Sequence, residues 1–99
     1  MFLDPAQLPT LPANVSAYRR TPSFDEGSVP AGLLRAHDTK AGVWGRIVVE
    51  SGALIYTILE PQAQRWRLEP GVDGVIEPEV RHEVRPEGAV RFFVEFLRA

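Results

Sequence analysis

Two histidines, a single lysine and Trp44 are the residues in this 99-residue chain best suited to chemistry. His37 closes the run Gly32-Leu33-Leu34-Arg35-Ala36-His37, and His82 follows Pro78-Glu79-Val80-Arg81. Imidazoles bind metals and exchange protons near neutral pH. A stable metal site takes three or four ligands. The chain has no cysteine, so any further ligand must be a carboxylate, such as Glu77 or Glu95, or water. The competing reading gives each histidine only a hydrogen bond near the surface. Lys40, between His37 and Trp44, suits a carbonyl- or anion-binding role, or that of a solvated turn residue. Trp44, flanked by Gly42 and Gly45, either lines a pocket or belongs to the core. In Glu77-Pro78-Glu79-Val80-Arg81-His82 a proline turn fixes the angle at which the histidine enters the next strand. Arg91 and Glu95 pair with each other or with a partner.

Several familiar constellations are missing. There is no glycine-rich phosphate loop, no His-Glu-x-x-His and no nucleophile elbow. Ser16, Ser23, Ser28 and Ser51 have no base nearby in the sequence, so nucleophilic catalysis is disfavoured. Eleven basic against thirteen acidic residues leave a net charge of −2, which argues against nucleic acid as a partner. No apolar run reaches the length of about 18 residues needed for a spanning helix. The start, MFLDPAQLPTLP, has no basic segment and is broken by prolines, unlike a secretory signal. A cytoplasmic location is the expectation, with a small molecule as partner and neither nucleic acid nor membrane.

Prolines and glycines divide the chain. Pro5, Pro9, Pro12, Pro22 and Pro30 break up the first third, leaving one short turn over 4–8, with Asp4 as cap and Pro5 in first helical position. The rest reads as strands at 43–50, 53–60, 64–68, 74–77, 81–85 and 89–98. The first two, joined at Glu50-Ser51-Gly52, form a hairpin candidate. In the last, Val90, Phe92, Val94 and Phe96 share a face that should point into the core. Many short strands with little helix predict an all-β sandwich or small barrel. Residues 1–16 form an N-terminal arm, either packed on a neighbouring subunit or loosely ordered, and 17–99 form the domain.

Arg20-Thr21-Pro22, Pro30-Ala31-Gly32-Leu33-Leu34 and His37-Asp38-Thr39-Lys40-Ala41-Gly42-Val43-Trp44-Gly45-Arg46-Ile47 resemble the small TehB-like (YeaR-type) tellurite-resistance cupins. Gly74-Val75-Ile76-Glu77-Pro78 to His82, and Arg91-Phe92-Phe93-Val94-Glu95-Phe96, extend the likeness to nearly the whole chain. The resemblance implies a single-domain all-β cupin, a double-stranded β-helix or jelly-roll sandwich, often a homodimer. It also implies an association with tellurite resistance, without an established reaction. In some relatives a methyltransferase domain follows; this chain has no space for one, so methyl transfer is not carried over.

Cupins hold a metal through two motifs. In the first, His37 stands at the first histidine and Gly52 at the hairpin glycine, while Thr39 replaces the second histidine and Trp44 or Gly45 the glutamate. In the second, Pro78 and His82 match. The resemblance thus implies His37 and His82 as ligands of a divalent ion such as zinc, iron, nickel or manganese. Lys40, Trp44, Glu77 and Glu95 are the candidate ligand-binding residues. Three functions compete: a binding or stress-response domain for a metal or oxyanion, a metal-dependent oxygenase or isomerase, and a structural dimer module with a vestigial pocket. The separation of His37 from His82 discriminates among them.

Overall fold

The computed structural model describes residues 2–35 and 38–99. His37, on which the two-histidine expectation depends, lies outside the described residues, as do Met1 and Ala36.

Six strands form one antiparallel sheet: β1 (Ser16–Arg20), β2 (Phe24–Asp25), β3 (Trp44–Ile58), β4 (Gln64–Leu68), β5 (Gly74–Ile76) and β6 (His82–Arg98). The path runs β1-β6-β3-β4, with β2 also on β6 and β5 also on β3. The predicted all-β class holds, and the predicted 64–68 and 74–77 strands appear as β4 and β5.

The expected hairpin at Glu50-Ser51-Gly52 is not there. Residues 43–50 and 53–60 do not pair with each other. They make up one 15-residue strand, β3, and both halves pair with β6, from Trp44↔Leu97 to Ile58↔His82. The register slips between Val49 and Ser51 and again between Gly52 and Leu54. A bulge of this kind bends a strand and re-aims its side chains without ending the pairing. Gly52, with φ +76°, supplies the left-handed residue. A two-residue hairpin turn of type I′ needs two such residues, and here Gly52 is alone. The 81–85 and 89–98 segments likewise merge into the single strand β6.

The bends fold the sheet over on itself, giving a sandwich. Inward residues on β3 are Ile47 and Val49 before the bulge, and Leu54, Tyr56 and Ile58 after it. The parity switch from odd to even reflects the extra bulge residue. On β6 the predicted face is buried: Val90, Phe92 and Val94 are sealed and Phe96 packs against the core. The two layers touch at β5. A methyl on Gly74 would lie 2.8 Å from Leu68 and 3.2 Å from Tyr56 in one layer, and 3.3 Å from Ile47 in the other. The Tyr56 hydroxyl crosses between layers to donate to the Val75 carbonyl at 2.8 Å.

The N-terminal turn forms as expected, a 3-10 turn over Pro5–Gln7 whose Ala6 N–H donates to Asp4 Oδ1 at 2.9 Å. This segment lies along its own β4. Leu3 N donates to Arg65 O at 2.8 Å, and Trp66 Nε1 donates to Asp4 O at 3.2 Å.

Candidate functional site

Two neighbouring clefts open at the end of the sandwich where β1 meets β6. Their position follows from the β1 register. Arg19 faces Phe96 and Arg20 faces Glu95, after a slip between Ala17 and Arg19. Adjacent residues of a strand point to opposite faces, so the two arginines part. Arg19 turns to the inner face, its guanidinium carbon 5.7 Å from the Phe96 ring centroid. Arg20 turns outward and sits 3.7 Å over the Phe93 ring.

The first cleft, about 230 Å³, is bounded by Tyr18 and Arg19 of β1, Phe96 of β6, and Asp38, Thr39 and Lys40 of the connection into β3. Thr39 is buried, and its hydroxyl donates to Val43 O at 2.8 Å. Its carbonyl accepts from Glu79 N at 3.1 Å. That bond ties the Lys40 loop to the Glu77-Pro78-Glu79-Val80 turn. Glu79 adopts φ +64° there, so the turn is held by contacts that outweigh the cost of a left-handed non-glycine residue. Among the described residues neither Arg19 nor Lys40 is in an ion pair, whereas Arg46, Arg67, Arg81 and Arg91 each have a carboxylate within 4.0 Å. Two cations against Asp38 leave the cleft one positive charge in excess. Such a cleft attracts small anions.

The second cleft, about 240 Å³, shares Arg19 and Phe96 with the first and continues beneath the 3-10 turn Ala31–Leu34. Its wall is almost wholly apolar: Phe24, Pro30, Leu33, Val94 and Phe96.

The expected site residues separate. Lys40 is exposed in the first cleft. Trp44 and Glu95 pair with Leu97 and Arg46, which puts both on the outward face. Glu95 lies 3.5 Å from the Arg46 guanidinium. Glu77 is half-buried just past β5. His82 begins β6 after the proline turn, as expected, and is 1% exposed. Its Nδ1 is 3.1 Å from Val80 O, and its ring meets Tyr56 edge-on, at 6.1 Å between centroids. Tyr56 in turn stacks on Trp66 at 5.9 Å. This aromatic column lies in the core, and His82 lines neither cleft. Burial, and then the Glu77 carboxylate, push the Tyr56 phenol well above its usual range. Among the described residues no three histidine, aspartate or glutamate side chains converge on one point. The metal reading therefore rests on His37.

Sequence reasoning passed over Arg19, Tyr18 and Phe96 as site residues. Arg19 reaches the cleft only because β1 pairs with the far end of the chain. The one local signal was the adjacent Arg19-Arg20 pair, in a strand exposed along its whole length.

An all-β antiparallel sandwich with a cationic cleft at the β1–β6 end is thus the kind of domain the residues build. The chain belongs to the TehB-like domain family, whose profile matches residues 19–94. A crystal structure of an Escherichia coli K12 protein superposes with a TM-score of 0.83 at 27% identity, covering 93% of this chain and 98% of that one. TehB from Haemophilus influenzae superposes with a TM-score of 0.80 at 21% identity over 87% of this chain. The chain spans 32% of that protein's length. No curated protein sequence matches it. Among the described residues no helix is long and apolar enough to cross a membrane.

Proposed function

We propose that this chain is a small-anion-binding domain acting in tellurite resistance or a related stress response. The anion sits in the first cleft, between Arg19 and Lys40. The observation that carries the reading is that these two cations, contributed by separate segments, line one cleft and make no ion pair among the described residues. Tyr18 at the rim adds a hydroxyl donor, and the buried Thr39 anchors the loop that carries Lys40. Family membership supports the link to tellurite. The arrangement suits binding and concentrating an anion.

Titration calorimetry with sodium tellurite tests the reading. The unmodified protein should bind with a stoichiometry of one per chain. Lys40→Ala and Arg19→Ala should each weaken binding by about tenfold, the scale of one lost charge-assisted hydrogen bond. Unchanged affinity in both variants would refute the assignment.

A further inference from the structure

The apolar second cleft adjoins the cationic first cleft, and Arg19 and Phe96 line both. We infer that the ligand of this site is an amphipathic organic anion, a small carboxylate whose charged end lies between Arg19 and Lys40 and whose alkyl or aryl body fills the second cleft. This deepens the anion reading and rests on it.

Three observations carry the inference. First, the polar atoms of Thr21 in the second cleft are occupied. The Thr21 hydroxyl donates to Pro22 O at 2.9 Å and accepts from Val94 N at 3.0 Å, while Thr21 N donates to Val94 O at 2.9 Å. Apart from Arg19, the wall therefore presents chiefly methyl groups and rings to a ligand. Second, the wall is pre-formed. Phe24 is held against Phe92, with centroids 5.7 Å apart, and Leu33 N donates to Pro30 O at 2.9 Å, fixing the turn that roofs the cleft. Third, Arg19 has both characters. Its guanidinium faces the Phe96 ring, as an arginine does when its plane packs on an apolar surface while its N–H groups remain free for a carboxylate. A volume near 240 Å³ falls below that of sites for drug-sized molecules, about 300 Å³ and upward. The occupant is then a short chain or a single ring.

Titrating the full chain with sodium acetate, sodium hexanoate and sodium tellurite tests this. Each methylene removed from water strengthens binding by up to about fourfold, so hexanoate should bind at least about tenfold more tightly than acetate. Leu33→Asp, which sets a carboxylate in the apolar cleft, should abolish that advantage. The chain-length comparison uses the unmodified protein and stands even if this variant fails to fold. Equal affinities for acetate and hexanoate would overturn the inference while leaving the anion reading intact. A hexanoate advantage that survives in folded Leu33→Asp would overturn the placement in this cleft. Absence of binding by all three salts would overturn both readings.

Discussion

Replacing Gly52 with alanine tests how the long strands bend. Gly52 has φ +76°, and a Cβ there would collide with the carbonyl oxygen of Ala89 and lie 2.9 Å from Val90 Cα on the paired strand. Gly88 has a similar φ of +69° with open space around its missing side chain. The pair therefore separates two costs. A left-handed alanine costs about 1–2 kcal/mol, offset by about 0.4–1 kcal/mol because alanine stiffens the unfolded chain. Gly88→Ala should thus lose about 1 kcal/mol. Gly52→Ala adds an overpacking cost of about 1–3 kcal/mol, at its upper end because the atoms it meets are backbone of the paired strand and cannot swing aside. A total near 3–4 kcal/mol follows. In a domain of this size each kcal/mol moves Tm by about 4–8 °C. Calorimetry or circular dichroism should find Gly52→Ala melting about 12–30 °C lower and Gly88→Ala only about 4–8 °C lower. Losses equal within about 0.5 kcal/mol would show that β3 does not need β6 this close at the bulge. The folded-over sheet would then be wrong at its hinge.

Three further outcomes follow. The raised Tyr56 phenol stabilises the fold fully below the unfolded value, near 10, and that contribution is lost as pH climbs toward the folded value; urea titrations should show stability falling above about pH 10, and Tyr56→Phe should flatten this fall at a cost of about 1 kcal/mol at neutral pH, for the lost bond to Val75 O. Lys40 is the only lysine, so few other groups titrate there; an unchanged slope in the variant would reject the assignment. Glu95→Gln should alter stability by less than about 1 kcal/mol and leave tellurite affinity unchanged, since Glu95 faces outward toward Arg46; loss of anion binding would contradict the placement of the cleft. Strand β1 ends the strand order and is exposed along its length, an edge that proteins usually cover, and the chain should sediment as a homodimer; a monomer at high concentration would refute this.

Period-two alternation was enough to read the inward face of β6 and the position of β4, a short apolar run marked β5, and Asp4 followed by Pro5 marked the N-terminal cap. The alternation also set Glu95 opposite Phe96, which is where the structure puts it. The bend in β3 was not legible, because Ser51-Gly52 reads equally as a turn or a bulge until a partner strand is known. Nor were β1 and β2, whose short segments between prolines gain strand structure only by pairing with β6, more than 60 residues onward. The same separation hid Arg19. Lys40 was visible as the lone lysine, but its partner in the cleft belongs to a contact that no local spacing encodes. His82 was read from its proline turn; its burial against Tyr56 depends on the pairing of Ile58 with His82.

The most direct test of the anion site is crystallographic. Crystals grown with sodium tellurite should give a tellurium anomalous peak within hydrogen-bond reach of Arg19 and Lys40, absent in Lys40→Ala. A peak beside His82, or none at concentrations that saturate binding in solution, would contradict the account.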